Sequence, residues 1–359
     1  MQKCRYCDFV SYAGRLEETE AYISALMQEM EEYSGLNLDT VYLGGGTPTA
    51  LAPAQLSQVL SAVRRSFSLT ENCEITVEAN PGTVSAETFS VLAESGVNRV
   101  SLGAQSFVNS ELKSLGRIHT SKEAEEAVLA ARQAGIQNVS LDLMFSIPNQ
   151  TEKTLTESLN RAVSLSPEHL SCYSLMLCEG TPMYEDHLTG KLSLPDEDED
   201  RRRDAFITEF LEKNGYERYE ISNFAKPGQE SRHNTKYWTR APYIGLGAGA
   251  HSFFEGERFE NPSDFSGYYE RVSSGRHPKG EAISEKDAMA EFMFLGLRRT
   301  KAGVLRRDFQ ASFGKTLEEV YEVPLKKLIS LALLEDDGQR IRLTKRGIDV
   351  SNGVFCEFL

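Results

Sequence analysis

This sequence predicts an α/β protein: parallel strands and crossover helices arranged as a barrel, with a small winged-helix-like α+β unit at the C-terminal end. Three observations carry the prediction. Apolar, β-branched runs alternate with amphipathic stretches at short, regular intervals as far as Ile221, and such alternation implies parallel strands joined by right-handed crossovers. Polar or glycine-rich residues gather at the ends of four successive strand runs. That favours a barrel over a doubly wound sheet, which gathers its ligand at one switch point. Near the C-terminus, helical patterns give way to two short apolar runs flanking Asp337-Gly338, a hairpin signal.

In chain order, the first helix is expected over 17–33 and the first strand over 39–43, running straight into Gly44-Gly45-Gly46-Thr47-Pro48. A helix over 53–67 leads to a strand over 74–79, which ends in Glu78-Ala79-Asn80-Pro81. A helix over 86–95 precedes a strand over 99–103 and the segment Gln105-Ser106-Phe107; a helix over 122–134 precedes a strand over 139–144 that contains Asp142. Helix 152–166, strand 169–177, helix 200–214 and a weaker strand 216–221 complete the alternation. The acidic-then-basic run 196–203 reads as a solvated helix start. Beyond Ser222 glycine and aromatic residues accumulate through Tyr269, and a helical pattern returns at Glu285. The expected divisions are therefore 1–222, 223–284 and 285–359.

At 359 residues the chain can bury one large core with a smaller unit attached. Its net charge of −14 argues against nucleic acid or an anionic membrane surface as partner. The longest apolar stretch, around 328–334, is far too short for a transmembrane segment, and no signal sequence opens the chain. Six cysteines spread over this length do not form a disulfide framework, so the expected compartment is cytoplasmic. Cys73, Cys172, Cys178 and Cys356 read as small buried hydrophobes.

Cys4 and Cys7 form a CxxC that, taken bare, is half a zinc site or a redox pair. No second CxxC or suitably spaced histidine completes a zinc site. Read with its surroundings, the pair is the end of C-x3-C-x2-C, whose first cysteine would stand immediately before Met1. Three thiolates at that spacing hold three irons of a [4Fe–4S] cluster and leave the fourth iron open. The expectation is that Met1 is internal to a longer reading frame, with truncation of the chain as the alternative; the strand before the cysteine loop is then also upstream. The three glycines let a backbone approach a ligand closely; a plain turn is the alternative. Glu78, Gln105, Arg117 and Asp142 are unremarkable singly. Jointly they could surround a zwitterionic, ribose-bearing ligand, with carboxylates for the amino group and hydroxyls and Arg117 for the carboxylate. His233, beside Tyr237 and the single Trp238, is either part of a packed surface turn or a ligand to a flat metal macrocycle. His251, among small residues, has the same ambiguity.

In order, Cys4-x2-Cys7-Asp8-Phe9, Gly44-Gly45-Gly46-Thr47-Pro48, Glu78-Ala79-Asn80-Pro81, Gly103-Ala104-Gln105-Ser106-Phe107, Gly116-Arg117-x-His119-Thr120 and Asp142-Leu143 resemble one family. It is the radical S-adenosylmethionine (SAM) family of oxygen-independent coproporphyrinogen III oxidases and the related haem chaperones, and the likeness spans essentially the whole chain. The resemblance implies a partial (β/α)6 TIM-like barrel. It implies Cys4 and Cys7 as ligands of a [4Fe–4S] cluster, and Gly45, Gly46, Thr47, Glu78, Gln105, Arg117 and Asp142 around SAM. Phe9 stands where the oxidases carry a further cysteine, and His233-Asn234-x2-Tyr237-Trp238 matches the chaperones' HNxxYW. Both features imply a chaperone that binds haem, with His233 as candidate contact, and passes it to an acceptor protein. The alternative is oxidative decarboxylation of porphyrinogen propionates. Ser146-Ile147-Pro148-Asn149-Gln150-Thr151 departs from the family's G-L-P-G-Q-T.

Overall fold

A computed structural model describes residues 3–12 and 14–359; Met1, where the sequence reading begins the cysteine loop, lies outside them. Two compact units result. The first comprises the described residues up to Tyr216 with Leu246–Ala250 and Asn261–His277; the second comprises Glu217–Gly245, His251–Glu260 and Pro278–Leu359.

Five strands organise the first unit: β1 (Asn37–Leu43), β2 (Ser68–Ala79), β3 (Arg99–Gln105), β4 (Asn138–Phe145) and β5 (His169–Ser174). They lie side by side in sequence order and every pair is parallel. Each strand has two chemically distinct faces because side chains alternate. On β4, Val139, Leu141, Leu143 and Phe145 are buried apolar residues, while Ser140 and Asp142 point the other way. Likewise Ile75, Val77 and Ala79 oppose Thr76 and Glu78, and Val100, Leu102 and Ala104 oppose Ser101, Gly103 and Gln105. The polar faces fall in register: Glu78 beside Ser101, Ser101 beside Ser140, Asp142 beside Ser171. One side of the sheet is therefore a polar wall, on which Ser140 pairs with His169 at 2.7 Å and Arg99 with Asn138 at 3.0 Å, while the buried Thr76 hydroxyl has no hydrogen-bond partner.

The helices of this unit are α1 (Thr19–Glu32), α2 (Pro53–Ser66), α3 (Ala86–Glu94), α4 (Asn109–Leu115), α5 (Ser121–Gln133), α6 (Glu152–Ser164), α7 (Pro182–Leu188) and α8 (Glu197–Lys213), of which α2 to α6 lie in the crossovers between parallel strands. Pro53 fits the first turn of α2, where its missing N–H costs nothing, and Leu56, Val59, Leu60 and Val63 form the buried stripe. Burying each such side chain contributes about 1.5–3 kcal/mol. Three helices start with reciprocal caps: Ser85 with Thr88 on α3, Thr120 with Glu123 on α5, and Thr151 with Thr154 on α6. Asp196 caps α8, so the acidic run is the helix start expected of it. The helices α4 and α7 were not expected, since seven residues are too few to display a periodic stripe.

In the second unit, the weak strand expected near 216–221 is Glu217–Glu220, which forms an antiparallel hairpin with Asn223–Ala225. Arg232–Trp238 is a short helix. Glu285–Arg298, Arg306–Phe313 and Leu317–Ser330 pack with a three-stranded sheet ordered Val304–Leu305, Arg340–Leu343, Leu334–Asp336, around buried Leu297, Phe309, Leu325, Ile341 and Phe358. The expected Asp-Gly hairpin is present, and Gly338 turns with φ +83°. Among the described residues no helix is long and apolar enough to cross a membrane. Of the four cysteines read as buried hydrophobes, Cys73 and Cys172 are buried, but Cys178 is half-buried and Cys356 exposed. Cys178 lies in the loop after β5, and Cys356 ends the short helix Ser351–Cys356.

Candidate functional site

The ends of β1 to β4 bring six of the sequence-derived residues together with the cysteine loop. Glu78, at the end of β2, is a junction: its Oε1 accepts from the Tyr42 hydroxyl at 2.7 Å and its Oε2 from the Gly45 N–H at 3.1 Å. Tyr42 reaches it because β1 and β2 are in register, Tyr42 beside Thr76, with the polar faces matched. Burial and the neighbouring Glu78 and Asp142 charges hold the Tyr42 phenol well above its usual range, so it remains a donor. A Cβ on Gly44 would sit 2.5 Å from the Tyr42 ring and 3.0 Å from the Glu78 carboxyl, which is why glycine stands there. Gly45 (φ +79°) and Gly46 (φ +60°) turn the loop through left-handed backbone and leave it exposed.

On the neighbouring strands, Ser101 donates to Asp142 at 3.1 Å, and Ser171 also bonds this carboxyl. Part of the Asp142 surface meets solvent at the open strand ends, yet its surroundings are protein. Burial first, and then the Glu78 charge, push its pKa up to about 6 against the pull of the two serines.

The third group is built on α4. Gly116 ends this helix in left-handed conformation, and a Cβ there would stand 2.8 Å from Arg5 Cγ. The cysteine loop can therefore lie against it, with Arg5 N–H donating to Leu115 O at 3.1 Å. On its other side the Met183 N–H of α7 donates to Arg5 O at 3.1 Å, and the Arg5 guanidinium pairs with Asp186. Tyr6 packs into an apolar cluster with Leu115, Met144, Ile147, Leu175 and Met183; burial pushes its phenol up to about 12. Within the loop Cys7 N–H bonds Cys4 O at 3.3 Å, so the two thiols flank one turn. Burial raises the Cys7 thiol, opposed by a Phe9 backbone hydrogen bond and by Lys3.

Arg117 follows Gly116 directly and spans the gap to the strands. One terminal nitrogen donates to Gly103 O at 2.7 Å, the other to Cys4 Sγ at 3.4 Å, and its buried Nε has no hydrogen-bond partner. Gly103 lacks a side chain because a Cβ would stand 2.9 Å from Gln105 Nε2 and 3.1 Å from Arg117. Gln105 itself has φ +63°, a left-handed conformation that costs a non-glycine residue energy. His119 bonds Ala104 O at 3.2 Å; burial and Arg117 lower its pKa to about 4, so it is neutral.

Thus Gly45, Glu78, Asp142, Gln105, Arg117 and Cys4 converge, with Gly46, Thr47 and Cys7 on the same loops. Tyr42, Ser101, Ser171 and Tyr6 join them without having been singled out; only strand register identifies the first three. Tested against an iron–sulfur cluster and SAM, the residues fit. They offer two soft sulfurs on one turn, an unsatisfied guanidinium N–H beside one sulfur, and glycines where side chains would obstruct. Among the described residues no three His, Cys, Asp or Glu side chains gather as metal ligands, so Cys4 and Cys7 stand as a pair.

His233 belongs to the second unit, on the helix Arg232–Trp238. Its Nε2 meets the Tyr237 hydroxyl at 2.9 Å, one helical turn on, with the rings edge to face. Tyr237 packs against Tyr243, and the Arg298 guanidinium lies 4.3 Å from the Trp238 ring centre. The HNxxYW sequence is thus an aromatic cluster on a helix, not a surface turn. His251 is exposed and faces Glu260 at 3.3 Å.

Comparison with known proteins extends this picture. Residues 1–162 match the Radical SAM superfamily and residues 283–350 the HemN C-terminal domain. The chain is 38% identical to the heme chaperone HemW of Lactococcus lactis, over 99% of this chain and 94% of that protein. It is 37% identical to HemW of Bacillus subtilis (99% and 96%) and 34% identical to HemW of Escherichia coli (100% and 95%). The solved structure of the radical SAM enzyme coproporphyrinogen III oxidase (HemN) from Escherichia coli superposes with a TM-score of 0.85, covering 99% of this chain and 87% of that one, at 21% identity. At that identity the likeness establishes the fold, the incomplete α/β barrel with a small C-terminal unit. Full-length relatedness above 30% establishes more: this chain belongs to the HemW family within the radical SAM superfamily.

Proposed function

We propose that this protein is a haem chaperone that carries a SAM-ligated [4Fe–4S] cluster, binds haem and hands it to an acceptor protein. The observation that carries the reading is near-complete, 38% identity to a curated HemW combined with an intact His233-Asn234-x2-Tyr237-Trp238 helix. We place the activity in the cytosol, where thiols stay reduced.

In this reading Cys4 and Cys7 supply two cluster ligands, and Arg117 donates to the Cys4 sulfur, stabilising its negative charge. Gly45, Gly46 and Thr47 present backbone to the methionine part of SAM. Glu78, fixed from two sides, offers a carboxylate acceptor to the N–H of its amino group, while Gln105 and Asp142 face its polar remainder. When bound, the cluster supplies an open iron that an amino and carboxylate pair can chelate. Below about pH 6 Asp142 holds its own proton; above it, it accepts hydrogen bonds from ribose-type hydroxyls. His233 is the candidate haem contact, and Tyr237 orients its ring.

Haem titration followed by absorbance tests this reading. Wild type should give a saturable spectral change, and His233→Ala should weaken or alter it; no haem-dependent change in wild type would overturn it. The second reading, porphyrinogen oxidation, is favoured only by fold, and Phe9 at the position of the oxidases' extra cysteine opposes it. Conversion of coproporphyrinogen III to protoporphyrinogen IX with SAM under anaerobic conditions would reinstate it.

A further inference from the structure

Glu29, on α1, is fully buried and lies outside every motif considered so far. Its Oε1 accepts from Asn261 Nδ2 at 2.7 Å and Arg271 Nη2 at 3.0 Å. Its Oε2 accepts from the Tyr268 hydroxyl at 2.7 Å and the Gly247 N–H at 2.8 Å. Two turns earlier on the same helix, the Tyr22 hydroxyl accepts from the next backbone N–H, that of Ala248, at 3.2 Å. Asn261 also donates to Gly247 O at 2.9 Å. These bonds pin Leu246–Ala250, a strap that belongs to the first unit, at a turn where Gly247 has φ +102°.

The strap touches the cysteine loop. Gly249 (φ +69°) faces Val10 at van der Waals range: a Cβ there would stand 3.4 Å from Val10 Cγ2. The next residue, Ser11, faces the glycine loop, its Cβ 3.6 Å from where a Gly46 Cβ would stand. The segment leaving Cys7 is therefore seated between the strap on one side and the glycine loop on the other.

We propose that Glu29 is a positioning residue for the cysteine loop. It fixes the strap; the strap sets where Val10 and Ser11 rest against Gly46, and so where Cys7 stands. The importance of this coupling rests on the reading that the loop carries a cluster, but the coupling itself can be measured without one. A glutamine at position 29 has one acceptor oxygen and turns an NH2 group toward donors, so the four-bond arrangement cannot survive.

The test uses the full chain without metal, and reads hydrogen exchange in the peptide containing residues 8–12 and the alkylation rate of Cys7 by iodoacetamide. In Glu29→Gln both should rise about tenfold or more, the loss of one hydrogen bond to a charged acceptor. Gly249→Val, which leaves the four bonds of Glu29 in place, should do the same. Glu32→Gln is the control: Glu32, half-buried, shares Arg271 at 2.7 Å but bonds no part of the strap, and glutamine keeps an acceptor oxygen for Arg271, so both rates should stay within about twofold of wild type. Unchanged rates in Glu29→Gln overturn the proposal. So does a rise spread evenly over the first unit, which is general destabilisation; if Glu29→Gln does not fold, unchanged rates in Gly249→Val overturn it. Failure of the wild type to take up iron and sulfide would refute the cluster reading while leaving the loop rates, and this inference, standing.

Discussion

Asp142→Asn isolates the electrostatics of the polar wall. In the folded protein the Asp142 carboxyl is pushed up to about 6, from an ordinary 3.8. The folded state therefore binds this proton more tightly than the unfolded chain, and ionising the group opposes folding. Stability should fall as pH rises between about 4 and 6, and the cost is complete above that range. The gap corresponds to at most about 3 kcal/mol at neutral pH, and less to the extent that solvent reaches the carboxyl. About half of it is already present at pH 5. Asparagine is uncharged and keeps one acceptor for Ser101 or Ser171. In urea unfolding at pH 7.5, Asp142→Asn should be more stable than wild type by up to about 3 kcal/mol, and its advantage should shrink by about 1–1.5 kcal/mol at pH 5. An advantage independent of pH, or one that grows toward acid, would refute this account.

Gly44→Ala should destabilise the first unit by about 1–3 kcal/mol, because its Cβ overlaps the Tyr42 ring and Glu78; a urea midpoint equal to wild type would contradict the packing described. Arg117→Lys keeps the charge but lacks the fork that joins Gly103 to Cys4, and we expect about 10–100-fold weaker SAM binding by equilibrium dialysis of cluster-loaded protein. Cys4→Ala and Cys7→Ala should each lower iron and acid-labile sulfide after anaerobic reconstitution, whereas Cys356→Ala, at an exposed position, should not. Tyr237→Phe removes the hydroxyl held by His233; if His233 contacts haem, the haem spectrum of this variant should shift while saturation is retained.

The strand–helix alternation could be read from sequence because parallel strands buried on their apolar face write themselves as short β-branched runs. The five runs expected over 39–177 all became strands, most extended at one end by residues such as Ser68 to Cys73 that no apolar pattern marks. The glycine loop and the strand-end residues were legible because their motifs are local and ordered. Tyr42 and Ser101 were not, since a tyrosine or serine inside a strand gains meaning only from the register of the next strand. The helix α4 escaped for want of length, although its closing glycine is what admits Arg5 and delivers Arg117. Glu29 illustrates the limit most plainly: its partners Gly247, Asn261, Tyr268 and Arg271 lie over two hundred positions away, and one glutamate in an amphipathic helix looks like any other.

The reciprocal caps on α3, α5 and α6 bear on how this scaffold can change. Ser85 stands just past the Asn80-Pro81 turn, Thr120 just past Arg117, and Thr151 just past the loop that leaves β4. Each strand-end segment is consequently tethered at both ends, by a strand before it and by a self-contained clasp after it. Residues between the two tethers can be exchanged without loosening the helices that carry the load. Such a frame can host one chemistry or surrender it for another while its architecture endures.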